Sequence, residues 1–326
     1  MQIFALLLVT PLFANAQSQA DKLPTPHFHH LHLNSTDPDA AIAFYTKQFP
    51  SAVKSTFAGY PALKINKVYV LFTKVSAPPP TKPQTAFWHF GWQVVDVRKN
   101  LATYKTSGVP LLPLYRTDEG GEVFINSDSW PGTSGILGLT KAQIADAKAK
   151  GVQPAGGPGF AYLQGPDGAI IEYAGNTPVE HFNHVHMYQE DPYCAQIWYQ
   201  KHLNAPVAPP PAGQTLHTEA NCKVPRGEPT WPALEKEGTI RQGGASVTYD
   251  DVALTWYVNQ GDRPLVGTRG QLYDHIALSV GNLNAWVAKL QQEKVKFLEK
   301  PYKLGDTRAL MIEGPSREAI ELVEVK

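Results

Sequence analysis

The sequence predicts an α+β protein assembled from four repeats of one β-α-β-β-β module, and three observations predict it. A histidine recurs seven residues before an Asp or Asn suited to cap a helix: His30 before Asp37, His89 before Asp96, His184 before Asp191 and His275 before Asn282. Each opens a short alternating stretch, namely HLHLNSTD, HFGWQVVD, HVHMYQED and HIALSVGN. The first stretch also returns with an offset of 154, taking His30 to His184, His32 to His186 and Asp37-Pro38 to Asp191-Pro192. A repeat on this scale is read before any single motif, because one unit then constrains the others.

The first module covers residues 27–76. In its leading strand His30, His32 and Asn34 share one face and Leu31 and Leu33 the other, since side chains two apart point the same way. Asp37 is placed to accept from free N–H groups of a helix, and Pro38 is tolerated at its first position. Ala41, Phe44, Tyr45 and Phe49 fall at near-helical spacing and form its buried face. Strands follow, ending in the apolar run 67–75. The connector 77–84, APPPTKPQ, is extended because proline removes donors and fixes φ.

The second module, 85–176, closes with Gly165-Pro166-Asp167-Gly168 and a strand reaching Glu172. The fourth, 271–326, closes with Gly314-Pro315-Ser316-Arg317 and a strand reaching Glu321, again seven residues after the glycine. His89 and Glu172 are 83 positions apart, against 46 for His275 and Glu321, so the second module carries an insertion, placed at about 116–158. It is rich in turn residues and includes a short helical stretch near Lys141–Lys150. The third module, 181–260, replaces Phe44-Tyr45 by Trp198-Tyr199 and contains a proline-rich surface loop at 205–213. Taken in order, the chain divides into duplicated halves, 27–176 and 178–326. Trp88, Trp92, Trp198, Trp256 and Trp286 fall in strands or helices and are assigned to the core.

Composition narrows the function. The formal net charge is zero over 326 residues, so nothing points to nucleic acid or an anionic membrane. Residues 1–16 combine an apolar run with Ala14-Asn15-Ala16, the pattern of a cleaved signal peptide and hence of a secreted or periplasmic protein. A buried N-terminal helix is the other reading, favoured by the lack of Lys or Arg before the run. No later stretch is long enough for a transmembrane helix. Cys194 and Cys222 are the only cysteines; a disulfide and two unpaired thiols both fit. There is no GxSxG elbow, no P-loop and no strand-placed GxGxxG.

Four such modules in register, two of them ending in Gly-Pro…Glu, resemble the vicinal oxygen chelate superfamily, which includes glyoxalase I, bleomycin- and fosfomycin-resistance proteins and extradiol dioxygenases. The resemblance implies modules paired into two half-barrel domains, each holding one divalent metal. Carried over residue by residue, it implies His30, His89 and Glu172 as ligands in the first half and His184, His275 and Glu321 in the second. Two imidazoles and a carboxylate form the facial set favoured by non-haem Fe(II), with Mn, Zn or Ni as alternatives. The ends of the first and third modules supply no further ligand. His32 and His186 share the inward face as acid/base or supporting groups. His27, His29 and His202 read as surface residues, and His217 as a loop residue able to reach the second-half site. The expected activity is extradiol-dioxygenase-like oxidation of a small vicinal-dioxygen substrate. Glyoxalase-type isomerisation and non-catalytic binding are the alternatives.

Overall fold

The computed structural model describes residues 23–112, 115–117, 123–125, 146, 149–151, 160–210, 216–225, 243–259 and 263–325. The leader and nearly all of the insertion, including most of Lys141–Lys150, lie outside the described residues. The first module comprises β1 (His27–Ser35), α1 (Pro38–Gln48), β2 (Val53–Phe57), β3 (Tyr60–Ile65) and β4 (Val68–Lys74). The second contains β5 (Phe87–Val94), α2 (Val97–Thr106), a short hairpin of β6 (Tyr115–Thr117) and β7 (Val123–Ile125), then β8 (Phe160–Gln164) and β9 (Ile170–Gly175). The third runs β10 (His181–Gln189), α3 (Pro192–His202), β11 (Gly244–Tyr249) and β12 (Val252–Val258). The fourth is β13 (Tyr273–Val280), α4 (Leu283–Gln292), β14 (Phe297–Leu304), β15 (Thr307–Glu313) and β16 (Ala319–Glu324).

The helix starts obey the sequence. Asp37, Asp96 and Asn282 accept from the backbone N–H three residues on, at 3.0, 2.9 and 3.0 Å, each satisfying a donor the helix leaves free. Asp191 departs from this pattern. Its carboxylate accepts from Val224 N at 2.8 Å and makes no cap bond to α3. The neighbouring Cys194–Cys222 disulfide draws the 216–225 segment onto this helix end and settles the cysteine question. Replacing both cysteines by serine is expected to lower stability by about 3 kcal/mol, the loop-closure value for a bridge of this span. Urea unfolding of the two proteins would measure it, and equal midpoints would show that the bridge contributes nothing.

Pairing of the modules departs from the sequential expectation. One sheet has the order β14-β15-β16-β13-β1-β4-β3-β2 and joins the first module to the fourth. The other, β11-β12-β10-β5-β9-β8, joins the second to the third. The contiguous halves 27–176 and 178–326 are therefore not the units that share a sheet. Connection length gives the reason. Between β4 and β5 the long proline-rich connector carries the chain across to start a second sheet. The short link from Gly175 to His181 keeps the third module on the sheet the second has begun.

One continuous apolar core lies under both sheets. Tyr45 and Phe49 of α1 leave their own sheet to stack on Trp92 of the other, at 6.1 and 4.2 Å. Trp88, Trp92, Trp256 and Trp286 are buried as expected, and Trp198 packs against the core half-buried. The Gly-Pro turns tie the sheets together reciprocally. Asp167 accepts from Ser35 Oγ (2.6 Å) and Thr36 Oγ1 (2.8 Å) of the first module. In the matching place, Gln189 of the third module donates to Pro315 O and Ser316 Oγ, both at 3.0 Å.

Candidate metal centres

Two clusters of donors form, one on each sheet; the first draws on the first and fourth modules, the second on the consecutive second and third. On the first sheet β1 brings His30 and His32, β13 brings His275 and β16 brings Glu321. His30 Nε2 lies 3.3 Å from His275 Nε2 and 3.4 Å from Glu321 Oε2, which is 3.9 Å from His275 Nε2. On the second sheet β5 brings His89, β9 brings Glu172, and β10 brings His184 and His186. Glu172 Oε2 stands 2.9 Å from His89 Nε2, 3.8 Å from His184 Nε2 and 3.9 Å from His186 Nδ1. All six expected ligands thus sit in clusters, but in exchanged company. His30 joins His275 and Glu321, whereas His184 joins His89 and Glu172. The exchange follows from sheet topology: β1 lies beside β13, and β10 beside β5.

Each histidine's orientation has a local cause. Relative to its partner strand, each leading strand carries one extra residue directly before a cluster histidine: His29, Trp88, Asn183 and Asp274. A bulge of this kind bends the strand and re-aims a side chain. Three of these residues bond the Nδ1 of the histidine they precede: His29 to His30 at 2.8 Å, Asn183 to His184 at 2.8 Å and Asp274 to His275 at 2.6 Å. Occupying Nδ1 turns Nε2 toward the cluster and fixes the ring, the usual support for a ligating imidazole. Asp274 is itself held by Arg269 Nη1 and Gly270 N, both at 2.7 Å. Burial opposes ionisation there, but the bond to His275 and the Arg269 charge hold the Asp274 carboxyl well below the usual carboxylate range. Trp88 supports His89 differently, packing edge-on at 4.3 Å between ring centres.

His32 donates or accepts through Nε2 at Thr73 Oγ1, 2.7 Å away, which leaves Nδ1 as its remaining atom. Glu321 accepts from Tyr302 OH. Burial pushes the imidazoles of His30, His32, His89 and His186 well down, and that of His184 to about 4. The neutral ring with a free lone pair is therefore the resting form, which is the form that ligates a cation. Burial also raises Glu172 and Glu321, partly offset by the nearby histidines.

The donor sets fit a divalent cation. Glu321 Oε2, His184 Nε2 and His186 Nδ1 are buried atoms without a hydrogen-bond partner, an arrangement that is costly unless something else satisfies them. At the second centre, atoms of His89, Glu172, His184 and His186 all lie within 4.8 Å of one another; at the first, those of His30, His32 and His275 do. Gly91 permits the second cluster. A Cβ there would stand 2.3 Å from His184 Cε1 and 2.8 Å from Glu172 O. Gly91→Ala is expected to displace His184 and weaken divalent-metal binding at the second centre at least about tenfold, sparing the first, where Ala277 already occupies the corresponding register position opposite His30. Metal titration of the variant would show one weakened site; two unchanged sites would refute the close-approach argument.

The remaining histidines are only partly as expected. His27 is exposed and pairs with Asp250 at 2.7 Å. His29 is buried against His30, because it is the bulge residue. His202 is largely covered and bonds Glu293 at 2.8 Å. His217 stacks on Tyr193 at 3.7 Å, the disulfide having anchored its loop to α3, and belongs to neither cluster. Arg269, Asp274 and Asn183 were not found by spacing. The one available signal was a polar residue directly before three of the four recurring histidines.

Residues 27–128 match the family described as the Glyoxalase/Bleomycin resistance protein/Dioxygenase superfamily. The match takes in the first module and the start of the second. Solved structures extend the likeness of fold over most of the chain. Glyoxalase I from Zea mays has 16% identity and a TM-score of 0.56, covering 92% of each chain. A point mutant of the same enzyme gives 17% and 0.57, over 92% of this chain and 94% of that one. A putative dioxygenase from Bacillus subtilis subsp. subtilis str. 168 gives 10% and 0.55, over 93% of this chain and 86% of that one. No curated protein sequence matches. Members of this superfamily are metal-dependent and act on small molecules, in keeping with the two clusters, and no helix among the described residues is long and apolar enough to cross a membrane.

Proposed function

We propose that the chain is a metal-dependent enzyme that holds a small substrate through two neighbouring oxygens and oxidises it in the manner of an extradiol dioxygenase. The observation that carries this reading is the convergence of two histidines and one glutamate on each sheet, His30, His275 and Glu321 on one and His89, His184 and Glu172 on the other. Such a set suits Fe(II), with Mn, Zn or Ni as alternatives, and leaves coordination positions open. A cation held there would stabilise negative charge as it develops on the substrate oxygens.

The chain's own residues would do the rest. Asp274 and Asn183 keep His275 and His184 aimed at the centre. His32, anchored at Nε2 by Thr73, offers Nδ1 to take up a proton, and His186 offers its unpartnered Nδ1 in the same register position. Tyr302 holds the Glu321 carboxylate in place. The Cys194–Cys222 bridge and the apolar leader both favour an oxidising, exported location, secreted or periplasmic.

One observation favours a second reading, isomerisation of the glyoxalase type. At the second centre His186 stands as near Glu172 as His184 does, so four donors converge and fewer positions remain for O₂. Anaerobic loading with Fe(II), followed by catechols and O₂, separates the two. Oxygen uptake with a ring-opened product supports oxidation. Conversion of a hemithioacetal without oxygen uptake supports isomerisation, and silence in both assays with metal bound would overturn the enzymatic reading.

A further inference from the structure

The two centres are built alike in three donors and differ in the fourth. On the first sheet, atoms of His30, His275 and Glu321 stand 3.3–3.9 Å from one another. On the second, Glu172 Oε2 is 2.9 Å from His89 Nε2 and 3.8 Å from His184 Nε2. Donors around one tetrahedral zinc ion stand roughly 3.3 Å apart, so each trio suits a single cation. The histidine two places further along each leading strand separates the centres. His186 Nδ1 is 3.9 Å from Glu172 Oε2, as near that carboxylate as His184. One atom from each of His89, Glu172, His184 and His186 fits within 4.8 Å of the others, whereas the matching group on the first sheet holds His30, His32 and His275 without Glu321.

The neighbouring strand supplies the cause. Thr73 of β4 draws His32 aside, its Oγ1 lying 2.7 Å from His32 Nε2. In register, the place of Thr73 beside β1 is taken by Tyr257 beside β10. The Tyr257 ring packs against the His186 imidazole at 5.3 Å, 69° from parallel. His186 in turn stacks on His184, with ring centres 4.2 Å apart and planes at 23°. His32 and His30 meet instead at 5.8 Å and 62°. The stacked pair turns His184 Nε2 and His186 Nδ1 toward one carboxylate, and both atoms are buried without a hydrogen-bond partner among the described residues. Leaving two such nitrogens bare is costly, and one cation satisfies both.

Three imidazoles and one carboxylate complete a tetrahedral zinc shell, whereas two imidazoles and a carboxylate form the open face that suits Fe(II). On the metal-dependent reading of both clusters, we propose that His186 is a fourth ligand and the second centre a four-ligand zinc site, while the first keeps three ligands and open positions for substrate. Oxidation then belongs to the first centre, and His32 alone serves as proton acceptor.

Cobalt(II) is the probe, because its visible bands are intense with four ligands in a tetrahedron and weak with five or six, and no turnover is needed to read them. Titrated into the metal-free full chain, the first equivalent is expected to give intense bands and the second weak ones. His186→Ala is expected to remove the intense bands and to weaken zinc binding at the second centre at least about tenfold. His32→Ala is expected to leave both readouts unchanged. Weak bands throughout with two equivalents bound, or zinc affinity indifferent to His186→Ala, would overturn the proposal and leave the enzymatic reading standing. A chain that takes up no cobalt and no zinc would overturn both.

Discussion

Glu321→Ala is expected to abolish divalent-metal binding at the first centre and leave the second intact, and Glu172→Ala to do the reverse. Among the described residues each glutamate is the only carboxylate whose oxygen enters its cluster, and its Oε2 is the atom the histidine nitrogens approach, from 2.9 to 3.9 Å. Removing it should cost at least about 100-fold in affinity, since substitutions one layer further out typically cost 10–100-fold. Asp274→Asn belongs to that outer layer and is expected to weaken the first centre alone, by about 10–100-fold. Elemental analysis of the parent should return up to two equivalents per chain, falling to one in either single variant and to none in the double. A double variant that still holds two equivalents would show that the metal, if any, sits elsewhere.

The second large effect concerns Glu318, a residue outside both centres. It is fully buried, accepts from Tyr199 OH at 2.8 Å and Ser316 N at 2.7 Å, and fits only because Gly314 lacks a side chain: a Cβ there would stand 2.4 Å from its carboxyl. Burial raises its pKa from 4.5 to about 7, against the pull of those hydrogen bonds. Between the two values the folded chain keeps a proton that the unfolded chain has released. Stability from this group is therefore full below pH 4.5 and is lost as pH rises through 7, by about 3 kcal/mol in all. Glu318→Gln mimics the protonated form, its amide donating to Tyr199 and its carbonyl accepting from Ser316. The variant is expected to match the parent near pH 4 and exceed it at pH 8 by a large part of that amount. Urea midpoints across this range would show two diverging curves; parallel curves would refute the assignment.

Much of this was legible in the sequence, for identifiable reasons. The period-2 pattern of HLHLN, the Asp-Pro caps and the Gly-Pro…Glu endings are local signals, and they pointed to strands, helix starts and the six residues that the two clusters gather. Pairing is not a local property. Whether β1 lies beside β5 or β13 depends on where the proline-rich connector leads, and no residue in either strand declares it. The six candidate residues were therefore picked out one by one, but in groups other than those the sheets bring together. The bulges escaped for a related reason, because an extra residue exists only relative to a partner strand. His29 consequently reads as a surface residue, and Asp274 and Asn183 draw no attention as supports for their neighbours. Asp191 escaped because its competitor, Val224 N, comes from a segment that the disulfide brings across 28 positions.

The exchanged pairing makes the chain a nested object. The second sheet occupies one unbroken stretch, Phe87 to Val258, while the first is split between β1–β4 and β13–β16 on either side of it. As the polypeptide leaves the ribosome, every strand of the second sheet is present once β12 has emerged. The outer unit has to wait. β1 carries His30 and His32 on a strand whose second edge is unfilled until β13 arrives some 240 residues later, with pairing of His32 against His275. An open edge is where strands recruit wrong partners, and only the first centre is exposed to that during synthesis: its strands come from the two ends of the chain's fold, whereas those of the second come from one continuous segment.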